Sequence, residues 1–224
     1  MREGFTIRPV EAEFETSVTL RSRVATPRAL PGVPLVLALH GWGMSERSFA
    51  RWLAPAFEAP ALSWWLPRGV LPCEVRSRRV GYGWYVFDGD QEALRASMDE
   101  ARCYLAALVA IARRALRPSS ITLLGFSQGA YLASYAALAR PDLFDAVVCC
   151  CGRPKCEFVP DLAAARRLRF LVQTGLRDAS VPRDLVARGV SPLREAGLPV
   201  DERSYDAEHR LTPEMARDAA EWIR

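Results

Sequence analysis

The chain has no asparagine, a single lysine (Lys155) and only two histidines (His40 and His209) among its 224 residues. Without asparagine, the chain has no acceptor for N-linked glycosylation. The longest apolar segments, such as YLAALVAIA from Tyr104, are too short to cross a bilayer as a helix. The first residues, MREGFTIRPVEAEFE, carry scattered charges and no apolar stretch, which argues against a secretory signal. We therefore expect no membrane span.

Strong net charge is also lacking. The formal net charge is +4, and the densest basic stretch near the middle of the chain is RSRR at 76–79. A nucleic-acid-binding arm would need a longer basic run. We interpret RSRR as a solvated loop and expect no nucleic-acid partner.

Six cysteines are present, three of them consecutive in DAVVCCCG at 145–152. Adjacent residues of a strand point to opposite faces, so these three thiols cannot converge on one metal ion. We interpret them as buried thiols of a core strand. Free thiols are typical of a cytoplasmic protein, which is the location that we expect.

The hydrophobic pattern alternates between strands and helices along most of the chain. Two strand-like stretches within residues 5–24 predict an N-terminal hairpin, and PLVLALHGWG predicts a strand buried on both faces. A serine-capped helix then follows with Phe49, Trp52, Leu53 and Phe57 on one face, and a long helix is predicted over 90–116. This order predicts an α/β fold with a mostly parallel sheet and helices on both faces, in a single domain over residues 1–224.

The segment LLGFSQGAYLAS places Ser127 between Gly125 and Gly129, where an apolar strand gives way to a helical pattern. This Gly-x-Ser-x-Gly string at a strand-to-helix junction is typical of a turn that exposes a nucleophilic serine. We expect strained backbone at Ser127 and contacts too close for side chains at 125 and 129. The alternative is a serine that only caps a helix.

A serine hydroxyl needs a base, and the base needs an acid that orients it. His209 follows the last predicted strand, downstream of Ser127, whereas His40 lies upstream of it. Hydrolases of this kind place serine, acid and histidine in that order along the chain, which favours His209 as the base. Asp178 follows a predicted strand between the two and is the predicted acid. Asp206 is the alternative, but it lies only three residues before His209.

An oxyanion formed during attack by Ser127 needs hydrogen-bond donors. The backbone N–H of Gln128, at the start of a helix, is one predicted donor. The backbone N–H of Trp42, in the loop that begins within LALHGWG, is the other predicted donor. His40 and Gly41 are expected to shape that loop without titrating in catalysis.

Aromatic residues near the expected site are candidates for substrate contact. Trp84 and Tyr85, in GWYVFD, together with Trp42, could wall an acyl pocket. Packing in the core or at its rim is the equally weighted alternative for Trp84 and Tyr85.

With these residues identified, the chain resembles α/β-hydrolases of the small carboxylesterase, phospholipase and acyl-protein thioesterase type. The matching segments are LALHGWG, GWYVFD, LLGFSQGAYLAS, TGLRDASVP and EHRLTPE, in the order that the family shows. The chain departs from the family at Glu208, where glycine usually precedes the histidine, and at Thr174, where histidine often precedes Gly175. These departures concern loops around the site, and therefore substrate preference.

The resemblance implies an α/β-hydrolase fold, with Ser127, Asp178 and His209 as a catalytic triad that needs no metal or other cofactor. The segment between the cysteine strand and RFLVQTGL is too short for a large helical lid domain, so we expect none. It implies hydrolysis of a small carboxylic ester or acyl-thioester through an acyl-enzyme. An amidase or peptidase with the same triad, and a catalytically silent binding protein, stay as alternatives. The acyl chain, the leaving group and the oligomeric state, including a homodimer, are left open by the sequence.

Overall fold

The structure is a computed structural model that describes residues 22–25, 32–58, 61–75 and 79–224. Most of the predicted N-terminal hairpin, within residues 5–24, lies outside these ranges, as do residues 76–78 of the RSRR segment.

A seven-stranded sheet forms the centre of the described fold. The described residues form nine strands, of which seven belong to this sheet and two form a separate pair. In chain order they are β1 (Ser22–Ala25), β2 (Leu35–Leu39), β3 (Ser63–Pro67), β4 (Leu71–Val75), β5 (Arg79–Gly83), β6 (Ile121–Phe126), β7 (Ala146–Cys150), β8 (Arg169–Gly175) and β9 (Val200–Tyr205). The sheet order is β1-β3-β2-β6-β7-β8-β9, and β4 pairs with β5 alone. Only β1 runs antiparallel to its neighbour in the central sheet.

Helices cover both faces of this sheet, as the sequence pattern predicts. They are α1 (Glu46–Leu53), α2 (Gln91–Ala115), α3 (Gln128–Ala139), α4 (Arg183–Glu195) and α5 (Pro213–Ile223). The apolar residues of α2, α3 and α4 pack in one buried cluster, and those of α1 and α5 pack in another. Strand β2 divides its side chains between the two clusters in strict alternation, as the pleat requires. The predicted α/β-hydrolase architecture is confirmed.

The consecutive cysteines lie where the pattern predicts them. Cys149 and Cys150 end β7 and join opposite clusters, and Cys151 follows them, also buried. The segment 151–168 between β7 and β8 contains one short 3₁₀ turn, Ala163–Ala165, and so holds no helical lid.

Helix α1 is shorter than predicted. It begins with the expected cap at Ser45, whose side chain accepts the N–H of Ser48, and it ends at Leu53. A 3₁₀ turn containing Pro55 follows, since proline lacks the N–H that would continue the helix. Phe57 therefore lies beyond the helix, where its ring packs against Trp64.

The hairpin formed by β4 and β5 has no counterpart in the sequence prediction. Its second strand pairs with the loop after β2, since Tyr82 and the 43–44 segment exchange backbone hydrogen bonds of 2.9 Å. Arg68, just before the hairpin, forms a two-pronged ion pair with the buried Glu46 of α1, with both N–O distances at 2.8 Å. The Arg68 guanidinium also lies 4.5 Å from the centre of the Tyr82 ring. These contacts attach the hairpin to the loop that carries Trp42.

Strand β6 turns into α3 through a strained residue. Ser127 has φ 51° and ψ −119°, a conformation that few non-glycine residues adopt. A Cβ atom on Gly125 would collide with the carbonyl oxygen of Gly129, and one on Gly129 would collide with the carbonyl oxygen of Leu39. The predicted strain and the predicted need for glycine on both sides are confirmed.

His40, the residue after β2, is held in the core by hydrogen bonds. The ring is fully buried; its Nδ1 donates to the Gly41 carbonyl at 2.8 Å, and its Nε2 accepts the Gly69 N–H at 2.9 Å. The Trp84 indole N–H donates to the His40 carbonyl at 2.8 Å. Burial lowers the pKa of His40 from 6.5 to about 4, against a smaller opposing effect of the Gly41 hydrogen bond, so the ring is neutral at pH 7.

This burial predicts acid lability. The unfolded chain binds a proton at His40 near pH 6.5 and the folded chain only near pH 4, so the stability is fully present above pH 6.5 and is lost as the pH falls towards 4. The loss attributable to His40 is about 2–3 kcal/mol. Urea unfolding at pH 7.5 and 4.5 should therefore show a smaller pH dependence in His40→Gln than in the wild type. Equal pH dependence in the two proteins would contradict the assignment.

Candidate active site

Three side chains meet at the carboxyl edge of the parallel sheet. Ser127 follows β6, Asp178 lies in the loop after β8, and His209 lies in the loop between β9 and α5. Ligand sites of open α/β sheets form at this edge, because the loops that leave neighbouring strands converge there. The topology thus brings together residues that are up to 82 positions apart in the chain.

The three side chains form a continuous hydrogen-bonded chain. The Ser127 Oγ lies 2.9 Å from the His209 Nε2, and the His209 Nδ1 lies 2.8 Å from the Asp178 Oδ2. With the carboxylate accepting from Nδ1–H, the free lone pair of Nε2 faces the serine hydroxyl. The arrangement can therefore move a proton from Ser127 to His209.

Asp178 is held from two sides. Its side chain is buried, and its second oxygen, Oδ1, accepts the backbone N–H groups of Ser180 and Val181, both at 2.9 Å. Asp206, the alternative acid, is exposed and forms an ion pair with Arg177. The geometry thus places Asp178, and not Asp206, against the imidazole.

Two contacts around His209 were not predicted. The ring of Phe126 lies 5.2 Å from the imidazole centre, and the Trp52 ring packs edge-on against Phe126. The Cys151 thiol donates to the Arg210 carbonyl at 3.3 Å, which fixes the loop that carries His209. Burial raises the pKa of Cys151 to about 12, and the nearby Asp178 adds to this, so the thiol keeps its proton. No sequence pattern marks these contacts, because they depend on how segments that are distant in the sequence pack together.

The predicted oxyanion donors flank Ser127. Gln128 begins α3, and a Cβ on Gly41, the residue before Trp42, would lie 3.4 Å from the Ser127 Cβ. Within the described ranges, neither the Gln128 nor the Trp42 backbone N–H is engaged by a protein acceptor. Both groups are therefore available to a ligand. The Trp42 ring is 52% exposed and lies against Gly83 of the hairpin.

The side chain of Gln128 forms two hydrogen bonds that sequence reasoning missed. Its Oε1 accepts the backbone N–H of Trp84 at 3.0 Å, and its Nε2 donates to the Tyr85 carbonyl at 2.8 Å. One residue thus ties the turn after Ser127 to the 84–87 segment.

A cavity of about 420 Å³ opens beside this turn. It is bounded by the 84–87 segment, the start of α2, the start of α3 and the loop after β7. The lining residues are Tyr85, Phe87, Gln91, Leu94, Met98, Gln128, Tyr131, Arg153, Lys155 and Glu157. Tyr85 is thus at the cavity. Trp84 is not; it is 1% exposed and packs between His40 and Tyr104, which agrees with the core-packing alternative.

Within the described ranges, no group of three or more His, Cys, Asp or Glu side chains is arranged to hold a metal ion. No helix in the same ranges is long and apolar enough to cross a membrane.

Comparison with known proteins places this geometry in a family. The family profile described as phospholipase/carboxylesterase matches residues 22–224. No curated protein sequence matches significantly.

Solved structures with the same fold include the esterase PE8 (22% identity, TM-score 0.76, covering 92% of this chain and 99% of that one). A carboxylesterase from Mesorhizobium loti has 23% identity and a TM-score of 0.75, and the match covers 91% of this chain and 94% of that one. The Zea mays acyl-protein thioesterase 2 has 21% identity and a TM-score of 0.70, and the match covers 91% of this chain and 97% of that one. These likenesses concern the fold, and the family match covers almost the whole described chain. The chain belongs to the phospholipase/carboxylesterase family of α/β-hydrolases.

Proposed function

We propose that this protein is a serine hydrolase that cleaves carboxylic ester or thioester bonds through an acyl-enzyme. The observation that carries the proposal is the hydrogen-bonded chain from Ser127 through His209 to Asp178. Membership of the phospholipase/carboxylesterase family supports the same class of substrate bond.

The geometry supports acylation of Ser127. His209 Nε2 takes the hydroxyl proton as the Ser127 Oγ attacks the carbonyl carbon, and Asp178 stabilises the imidazolium that forms. Collapse of the tetrahedral intermediate breaks the bond to the alcohol or thiol, which leaves with the proton from Nε2. Water then gives its proton to the same nitrogen and attacks the acyl-enzyme, which releases the acid and restores Ser127.

The developing oxyanion is stabilised by the unengaged backbone N–H groups of Gln128 and Trp42. The Gln128 N–H lies at the amino end of α3, where the aligned peptide dipoles favour negative charge. Such donors contribute several kcal/mol to transition-state stabilisation, roughly 2.7–4 kcal/mol for one of them.

The cavity beside Gln128 accommodates the non-reacting part of the substrate, with Tyr85 at its wall. Since the segment between β7 and β8 builds no helical lid, the site suits small esters or an acyl group carried by a larger partner.

Replacing the nucleophile tests the assignment directly. Ser127→Ala should abolish labelling by a fluorophosphonate probe and lower kcat on p-nitrophenyl acetate by at least about 10³-fold, because no other group can form the acyl-enzyme. Labelling is read by gel fluorescence, and circular dichroism checks that the variant is folded. Equal labelling of the folded variant and the wild type would refute the proposal.

Asp178 and Asp206 offer a matched pair of variants. Asp178→Asn should lower kcat by about 10³–10⁴-fold, since the amide no longer holds the imidazole in the tautomer that accepts the serine proton. Asp206→Asn removes only a surface ion pair and should keep near wild-type activity. Steady-state kinetics on one ester compares the two. A larger loss in Asp206→Asn would reassign the acid.

The leaving group separates an esterase from an amidase with the same triad. We expect kcat/KM for p-nitrophenyl acetate to exceed that for p-nitroacetanilide by several orders of magnitude, because an amine leaves only after protonation of its nitrogen. Release of the coloured product is followed for both substrates with the same protein preparation. A preference for the anilide would favour the amidase.

A further inference from the structure

Two cations lie in the cavity beside Ser127, and one of them is the only lysine of the chain. Arg153 is 9% exposed and Lys155 is 7% exposed, and both line the cavity together with Glu157. Arginine and lysine are rarely buried to this extent unless they are paired with negative charge.

Glu157 neutralises only one of the two positive charges of Arg153 and Lys155. Glu157 forms an ion pair with the Arg153 guanidinium, and its Oε1 also lies 3.6 Å from the Lys155 ammonium. One carboxylate is thus shared by two cations, and it is itself half-exposed. Burial raises the pKa of Tyr85 and Tyr131, which also line the cavity, so both phenols stay neutral at pH 7. The lining as a whole carries one unbalanced positive charge.

Arg153 also has unused hydrogen-bonding capacity. Its Nη1 donates to the Pro154 carbonyl at 3.1 Å, and its guanidinium lies 5.6 Å from the centre of the Tyr131 ring. Its Nε is buried and has no hydrogen-bond partner among the described residues. A buried charged donor without a partner is unfavourable, so the described residues leave the Arg153 guanidinium incompletely paired.

Lys155 contacts an aromatic ring through its side chain and is held by a backbone hydrogen bond. Its ammonium lies 4.4 Å from the centre of the Phe158 ring, and its backbone N–H donates to the Ser134 hydroxyl at 2.9 Å. Burial lowers the pKa of Lys155 from its usual value, and Glu157 partly offsets this. An anion bound here would favour the charged ammonium.

The cations lie close to the turn that carries the nucleophile. Arg153 follows Gly152, where a Cβ would lie 3.2 Å from the Ser127 carbonyl oxygen. Gln128, the residue after Ser127, lines the same cavity. The same lining includes the apolar side chains of Phe87, Leu94 and Met98. The cavity therefore fits a short apolar segment that ends in a charged group.

We propose that Arg153 and Lys155 bind an anionic group, a carboxylate or a phosphate, on the substrate whose ester or thioester bond Ser127 attacks. The inference rests on the proposed function, which it narrows to acidic esters. Both cations donate to the anionic oxygens, and the bound charge balances the excess positive charge of the cavity.

Paired esters test the inference in both halves of the substrate. In the acyl arm, the mono-p-nitrophenyl ester of glutaric acid is compared with its neutral methyl ester. In the leaving-group arm, 4-acetoxybenzoate and 4-acetoxyphenyl phosphate are compared with neutral 4-acetoxybenzamide. In at least one arm, kcat/KM for the anion should exceed that for the neutral partner by about tenfold, as expected for hydrogen bonds between ionised groups. The arm that responds identifies which half of the substrate carries the anion, and within the leaving-group arm the two anionic esters distinguish a carboxylate from a phosphate.

Substitutions locate the preference. Lys155→Met keeps the apolar stem and Arg153→Gln keeps much of the side-chain length, and each should bring the anionic-to-neutral ratio down towards one. Arg188→Gln, at an exposed position on α4, makes the same charge change and should leave the ratio unchanged. Glu157→Gln removes the competing carboxylate and should raise the ratio. A preference kept by both cavity variants, or lowered by Glu157→Gln as much as by Lys155→Met, would overturn the proposal.

A binding measurement separates this inference from the proposed function. Glutarate or inorganic phosphate, compared with chloride at equal ionic strength, should raise the Tm of Ser127→Ala protein but not of the Ser127→Ala/Lys155→Met double variant. If the wild type hydrolyses no ester while the anion still binds through Lys155, the proposed function fails and the anion site stands. If the wild type hydrolyses neutral esters, shows no anionic preference and gains no stability from either anion, the anion site is refuted and the hydrolase stands.

Discussion

The close approach of β6, α3 and β2 around Ser127 is the constraint on which the site depends. The chain turns there through a strained conformation, and the carbonyl oxygens of Gly129 and Leu39 occupy the space where side chains at 125 and 129 would lie. Because the bend is this tight, the hydroxyl is directed out of the sheet edge and the Gln128 N–H follows it immediately. The strain is maintained by the buried packing of the strands on either side.

Most of the fold could be predicted from the sequence, because β2 and the stretch from β6 to α5 have the patterns that their burial demands. The continuous apolar run at 35–39, the helical spacing of apolar residues predicted over 90–116 and the Gly-x-Ser-x-Gly turn are local features, and the structure reproduces them. The order of serine, acid and histidine then limited the candidates, since only His209 lies downstream of Ser127. The placement of these three residues follows from the topology of a parallel sheet.

The remaining features depend on contacts between distant segments, which no local pattern records. The β4–β5 hairpin exists through its pairing with the 43–44 loop and through the Arg68–Glu46 ion pair, and its own residues are only half-buried. Trp84 belongs to the core because His40 provides a buried carbonyl for its indole N–H. The pairing of Arg153 and Lys155 with a single carboxylate is likewise invisible in RPKCEF without the cavity around it.

The scarcity of lysine has a practical consequence. A reagent directed at primary amines has a single side-chain target in this chain, and that target lines the cavity beside Gln128. Acylation or reductive methylation of the Lys155 side chain would therefore be slowed by any molecule that fills the cavity. The lone ammonium thus serves as a built-in footprinting probe of occupancy, with no engineered label required.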